Sequence, residues 1–125
     1  MISARIAGLL SVVTLVLACC APKPDGPITT SFDGVYKGTG YSASPPDWGC
    51  PATMPDDTMN VSGGYATFMD VHGWVAADGT AQMSSQTATL QGRFQNTHFE
   101  GLLQYHERGS DRLTCGYTLK LDRAG

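Results

Sequence analysis

From Phe32 to Asp122 the chain consists of short runs in which alternate residues share a character, and no run has the period of a helix. Alternation at every second residue is typical of β-strands, whose side chains point to opposite faces in turn. One face of the last run carries Leu113, Cys115, Tyr117, Leu119 and Leu121. We predict strands over residues 32–41, 58–62, 65–71, 73–77, 80–84, 87–95, 97–107 and 113–122.

Eight sequential hairpin strands leave two free edges unless the sheet closes on itself. Cys50 lies in the loop after the first predicted strand, and Cys115 lies near the start of the last one. In a closed up-and-down barrel these two places are neighbours. We therefore predict a small all-β antiparallel barrel with one disulfide between Cys50 and Cys115, and keep a two-sheet β-sandwich as the alternative.

The expected cellular compartment also favours pairing of Cys50 with Cys115, because cysteines far apart in the sequence form disulfides in an oxidising environment. Cys50 and Cys115 are 65 positions apart. A disulfide that closes a loop of this length stabilises the fold by roughly 4 kcal/mol on the loop-entropy model. A metal pair and a redox site are the rival interpretations, but the chain has no Cys-x-x-Cys spacing.

Alternation also predicts which side chains fill the interior. A barrel of eight strands is either solid or holds one small ligand, and the sequence leaves both open. The expected interior residues are Phe32, Tyr36, Met59, Val61, Val71, Val75, Leu90, Phe94, Phe99, Leu103, Tyr105, Tyr117, Leu119 and Leu121.

The N-terminal segment has the features of a secretory signal. Arg5 supplies a positive charge, and Ile6 to Leu17 is predominantly apolar but short for a membrane-spanning helix. Val16-Leu17-Ala18-Cys19 resembles a bacterial lipobox, in which the cysteine is lipidated and becomes the mature N-terminus. We predict a signal peptide over residues 1–18 and lipidation at Cys19. Plain secretion and a retained anchor helix are the alternatives.

Residues 19–31 are predicted to form a lipidated flexible tether, since proline and glycine recur in them, and residues 32–123 form the barrel domain. The chain has 8 basic and 11 acidic residues. Loss of Arg5 with the signal leaves 7 basic residues and a net charge of −4. Nucleic acid is not an expected partner, because phosphate binding needs clustered Lys and Arg.

Several glycine and aromatic positions resemble those of small proteobacterial secreted or lipid-anchored domains of unassigned function. They are Asp33-Gly34-Val35-Tyr36-Lys37-Gly38-Thr39-Gly40, Cys50-Pro51, Gly92-Arg93-Phe94, Phe99-Glu100-Gly101 and Cys115-Gly116-Tyr117-Thr118-Leu119. This resemblance implies a barrel framework and carries over no catalytic residue.

Two looser resemblances concern other barrels. Small periplasmic lysozyme-inhibitor lipoproteins carry a Ser-Gly segment followed by a basic residue and Tyr, whereas Ser62-Gly63-Gly64-Tyr65 lacks the basic residue. The first strand is also similar to the Gly-x-Trp start of lipocalin-like barrels, with Tyr36 at the aromatic position. That likeness implies a ligand cavity.

Two histidines stand two positions from a carboxylate, in Asp70-Val71-His72 and in His98-Phe99-Glu100. This spacing places both side chains on one strand face, where they could ligate a metal or move protons. His98, Glu100 and His106 have the parity opposite to Phe99 and are expected to face solvent. We predict no catalytic residue, no metal and no cofactor.

The loop Pro45-Pro46-Asp47-Trp48-Gly49-Cys50-Pro51 is rigid and carries a tryptophan. Rigid loops with an exposed Trp often contribute to recognition. Pro46, Asp47 and Trp48 are therefore the candidate contact residues for a partner or ligand. The competing interpretation, which we favour, is that Trp48 folds back as a lid over the barrel end.

These features predict a non-enzymatic lipoprotein of the bacterial cell envelope, with its domain in the periplasm or outside the cell. Its expected partners are membrane lipid through Cys19 and an envelope protein, a glycan or a small apolar ligand. A structural accessory of a membrane complex is the second hypothesis, and a hydrolase or metal-dependent enzyme is the third. Secretion without a lipid is the alternative location.

Overall fold

The structure, a computed structural model, describes residues 27–54, 57–110 and 112–124. It is a closed barrel in which each strand pairs antiparallel with the next and the last pairs with the first. The strands are β1 (Gly34–Ser42), β2 (Asp57–Ser62), β3 (Tyr65–Phe68), β4 (Val71–Trp74), β5 (Thr80–Ser84), β6 (Ala88–Gln95), β7 (His98–His106) and β8 (Leu113–Arg123). This confirms the predicted up-and-down barrel and excludes the sandwich.

The predicted signal peptide, its lipidation site Cys19 and the start of the tether lie outside the described residues. Within the described ranges, no helix is long and apolar enough to cross a membrane.

The barrel closes where β1 pairs with β8, in a register that runs from Tyr36 opposite Arg123 to Ser42 opposite Tyr117. The Cys50–Cys115 disulfide stands beside this seam, with an S–S distance of 1.98 Å and a Cα–Cα distance of 5.9 Å. It ties the loop after β1 to the beginning of β8. The predicted disulfide is confirmed.

The interior is filled by apolar side chains from alternate positions of the strands. Of the fourteen residues expected there, twelve are buried, and Phe32 and Tyr105 pack against them partly buried. No polar or charged residue is buried in the described part of the chain. Burial of each large side chain contributes roughly 1.5–3 kcal/mol. Six further residues outside that expected set are also buried, Met54, Ala66, Phe68, Ala81, Met83 and Ala88.

The turn between β3 and β4 lies elsewhere than predicted. The sequence placed one strand through Val71 and the next from Gly73, whereas the chain turns at Met69 and Asp70. Met69 has a φ of 53°, a left-handed conformation that bulky residues seldom adopt. The side chain of Met69 is 50% exposed, whereas those of Met54 and Met83 are buried in the core.

A β-bulge displaces Leu113 from the face that it was predicted to share with Tyr117. The register of β7 and β8 shifts between Gln104 and His106, with an extra residue on β8. An added residue reverses the facing of the side chains beyond it. Leu113 is accordingly 46% exposed.

The two ends of the barrel differ in what they carry. The entry end, where the chain enters β1, holds the β2–β3 turn and the end of β8, whereas the far end holds the disulfide, the β3–β4 turn and the start of β8. Ile28 forms a β-bridge with Ala76 at the entry end. The predicted tether is therefore already in contact with the barrel at Ile28.

Candidate functional site

An apolar groove of about 170 Å³ lies on the outer wall of the barrel at the far end. We call it the outer groove. Its floor and one side come from β7 and β8, and its other side comes from the loop after β1. The lining residues are Ala43, Ser44, Pro45, Trp48, Leu102, Gln104, Leu113, Cys115 and Gly116.

The loop after β1 is held against β8 by backbone geometry. The N–H of Ala43 donates to the carbonyl oxygen of Gly116 at 2.8 Å, and the N–H of Gly116 donates to Oγ of Ser44 at 2.7 Å. A single 3₁₀ turn (Pro46–Trp48) follows, and Gly49, with a φ of 73°, ends it. Since Cys50 is then bonded to Cys115, Trp48 stands on a short segment fixed at both ends.

Gly116 opens the floor of the groove because it has no side chain. A Cβ atom there would lie 3.6 Å from the carbonyl oxygen of Leu103 and 3.7 Å from Oγ of Ser44. The site could therefore hold a methyl group in ordinary contact, and in its absence the space belongs to the groove.

The groove has exposed apolar walls, and none of its lining residues in the described part of the chain is charged. Trp48 is 50% exposed, Leu113 46% and Leu102 38%. On the neighbouring outer surface, Leu102 and Tyr41 are both in register with Thr118 of β8. The exposed large apolar residues described in the chain are Val35, Tyr41, Trp48, Met69, Leu102 and Leu113, and Val35 alone lies towards the entry end.

The structure places the predicted contact residues Pro46, Asp47 and Trp48 together on this exposed turn. The favoured interpretation of Trp48 as a lid over the barrel end is wrong. Its ring lines the outer wall with Leu102 and Leu113, because the disulfide draws the loop to β8.

His98 lies between two carboxylates on the outer wall at the entry end. Its Nδ1 donates to Oδ1 of Asp122 at 2.8 Å and its Nε2 donates to Oε1 of Glu100 at 3.1 Å. These hydrogen bonds, that to Asp122 first, raise the pKa of His98 above its usual value. Because both ring nitrogens are engaged by carboxylates, neither is placed to take a proton from a nucleophile.

The other predicted pair, Asp70 and His72, does not meet. Nδ1 of His72 shares a hydrogen bond of 2.6 Å with the hydroxyl of Tyr65 across β3 and β4, and Tyr65 packs edge-on to Trp74. Asp70 instead accepts a hydrogen bond from the Thr87 hydroxyl at 3.5 Å. Among the residues that the structure describes, no three His, Cys, Asp or Glu side chains form a group able to hold a metal ion.

Sequence reasoning identified Trp48 but not Leu102 or Leu113 as its neighbours. Leu102 becomes exposed through strand parity, and Leu113 through the bulge in β8. Leu102 and the buried Leu103 are adjacent on β7 and face opposite sides, so the exposure of Leu102 was predictable from the sequence. The bulge in β8 leaves no local signal in the sequence.

Comparisons of this chain with protein-family models, with curated proteins and with solved structures found no match.

Proposed function

We propose that this protein is a non-enzymatic lipoprotein of the bacterial cell envelope that binds another envelope protein through the outer groove. The observation that carries this proposal is the concentration of exposed apolar side chains around that groove, at the far end of the barrel. Exposed apolar patches with a central aromatic residue are typical of protein-binding sites.

The filled interior favours binding on the surface over binding inside the barrel. Phe94 lies at the centre of an aromatic cluster, with its ring centroid 5.0 Å from that of Tyr36, 4.6 Å from that of Phe99 and 5.5 Å from that of Phe32. These rings occupy the space that a small ligand would need in a barrel of this size.

The position of the tether supports an orientation on the membrane. Lipid on Cys19 would be separated from Ile28 by a short segment that spans at most about 30 Å when fully extended. Ile28 contacts the entry end, so the groove at the far end would face away from the membrane. A partner approaching from the side opposite the membrane would meet the groove first.

Photocrosslinking in intact cells tests this proposal. The photoreactive residue p-benzoylphenylalanine is introduced in place of Leu113, which lines the groove, or in place of Val35, which is similarly exposed towards the entry end. We expect a discrete protein adduct from position 113 and none from position 35. Absence of a protein adduct at position 113, or equal adducts at both positions, would contradict the proposal.

A further inference from the structure

We propose that the outer groove takes a single uncharged apolar side chain, aromatic or branched aliphatic, from an exposed peptide segment that carries a Lys or Arg beside it. This inference rests on the proposed function and specifies the kind of partner. Three properties of the groove support it: its volume, its two uncommitted polar groups and the charge beside its mouth.

The volume of the groove matches one ring or one branched side chain. A cavity of about 150 Å³ lined by apolar residues is known to hold benzene, and the outer groove measures about 170 Å³. Trp48, Leu102 and Leu113 provide its apolar walls. Because none of the lining residues that the structure describes is charged, a charged group entering the groove would lose water without gaining an ionic partner among them.

Two polar side chains at the groove can bind a peptide backbone. Oγ of Ser44 accepts the Gly116 N–H, which leaves its hydroxyl proton without an acceptor in the described part of the chain. Across residues 27–54, 57–110 and 112–124, the side-chain amide of Gln104 makes no hydrogen bond. A peptide group can use one donor and one acceptor here, whereas a lipid acyl chain can use neither.

The charged residue next to Trp48 is negative. Asp47 is exposed next to Trp48 and forms no ion pair with any residue that the structure describes. Glu107, also at the far end, lies 3.7 Å from Arg112 and is compensated. A cation next to the anchoring side chain would therefore find Asp47 available, which steers recognition towards basic segments.

Binding is measured by NMR on the full chain, purified in detergent micelles and labelled with ¹⁵N-tryptophan. The two tryptophans give two indole signals, and Trp48→Phe assigns them. Trp74 lies on β4 outside the groove and serves as an internal control. The probes are the blocked dipeptides acetyl-Phe-Lys-amide, acetyl-Phe-Glu-amide and acetyl-Ser-Lys-amide, together with the oligosaccharide chitotriose.

We expect acetyl-Phe-Lys-amide to shift the Trp48 signal saturably and to leave the Trp74 signal in place. Acetyl-Phe-Glu-amide should bind about threefold more weakly, as expected for one exposed ion pair. Acetyl-Ser-Lys-amide should give no saturable shift. Equal binding of the Ser-Lys or Phe-Glu dipeptide, or stronger binding of chitotriose, would overturn the proposal.

Filling the floor of the groove gives an independent test. Gly116→Ala adds a methyl group with contacts no closer than 3.6 Å, so the barrel should fold normally. Gly116→Val adds two further carbon atoms beside the lining residues Ser44 and Gln104. We expect Gly116→Val to weaken acetyl-Phe-Lys-amide at least about tenfold, with Gly116→Ala intermediate. Val35→Ala, which shortens an exposed apolar side chain away from the groove, should leave binding unchanged.

The same substitution separates this inference from the proposed function. If the adduct at position 113 persists in cells carrying Gly116→Val, the protein still binds its partner there and the single-side-chain anchor is wrong. If no adduct forms at position 113 even with Gly116 intact, the proposed function itself is contradicted.

Discussion

The Tyr36 hydroxyl accepts a hydrogen bond from Nη2 of Arg123 at 3.0 Å, across the seam that closes the barrel. The same hydroxyl donates to the carbonyl oxygen of Phe32 at 2.7 Å. The guanidinium carbon of Arg123 lies 5.5 Å from the centre of the Tyr36 ring, within the range of a cation–π contact. One buried hydroxyl thus joins the first strand, the last strand and the segment that precedes them.

Replacing Tyr36 with Phe should destabilise the barrel by about 1–3 kcal/mol, since the change removes both hydrogen bonds at a fully buried side chain. Urea unfolding measures the loss. Tyr41→Phe is the matched control, because Tyr41 is 54% exposed and its hydroxyl makes no hydrogen bond to the described residues. Equal stability of the two variants would show that the seam does not depend on this hydroxyl.

Removing the disulfide should cost about 4 kcal/mol on the loop-entropy model, since the bridge closes a sequence separation of 65 residues. Cys50→Ser and Cys115→Ser should lose the same amount, and the double variant should lose no more than either single one. The measurement is denaturant unfolding with and without reductant. A single variant that stays as stable as the oxidised protein would contradict the role of the bridge as a staple across the seam.

The raised pKa of His98 predicts a pH-dependent contribution to stability. Imidazolium is the form that donates to both Asp122 and Glu100, so the stabilisation is fully present below the ordinary pKa of about 6.5 and is lost as pH rises through the raised pKa. Lys120 and Arg93 lie in register with Glu100, and Lys37 lies in register with Asp122. These cations weaken the effect without reversing its sign.

A proton NMR titration of the His98 ring in the native protein and in Asp122→Asn tests this. The pKa of His98 should fall in the variant, since Asp122 is the largest cause of the increase. Glu107→Gln, which removes a carboxylate from the far end, should leave it unchanged. A pKa of His98 that does not respond to Asp122→Asn would mean that the hydrogen bond at 2.8 Å does not form in solution.

The barrel was predictable because two independent signals agree. Period-two alternation defines the interior, and the positions of Cys50 and Cys115 are compatible with a sheet in which the first and last strands are neighbours. The β3–β4 turn was misplaced because Asp70 is its only turn-forming residue type, while Met69, which takes the left-handed conformation, has none of that chemistry. Local pattern cannot reveal a backbone conformation that the closed sheet imposes.

The candidate site was predictable only in part, for a related reason. A rigid, proline-rich loop identifies Trp48, but the groove depends on what the loop meets. Gly116 and Leu102 become its floor and wall through the register of β7 with β8, and Leu113 through the bulge that shifts it. The same limit applies to His98, whose strongest partner, Asp122, comes from another strand.

The entry-end turn offers a matched pair of substitutions. Gly63 and Gly64 both have positive φ, 61° and 78°, and the carboxylate of Asp33 accepts their N–H groups at 2.8 and 3.0 Å. A Cβ on Gly63 would meet open space, whereas one on Gly64 would clash with Ile28 and lie 2.7 Å from the carbonyl oxygen of Thr29.

Gly63→Ala should therefore cost only the backbone strain, about 1–2 kcal/mol, and Gly64→Ala should cost clearly more. Thermal unfolding of the two variants side by side gives the difference. Equal losses of stability would mean that Ile28 and Thr29 do not pack against this turn in solution, and that the end of the predicted tether does not contact the barrel there.

The final prediction concerns lipidation at Cys19, a residue outside those that the structure describes. The intact mass of the protein extracted from its native membrane should correspond to a chain that begins at Cys19 and carries diacylglyceryl or triacyl lipid. Cys19→Ser should remove the lipid, whereas Cys20→Ser, a change to the adjacent cysteine, should leave it in place. Several acyl chains bind a membrane firmly because each buried CH₂ contributes about 0.8 kcal/mol. An unlipidated mass, or lipid that survives Cys19→Ser, would contradict the anchor and with it the outward orientation of the groove.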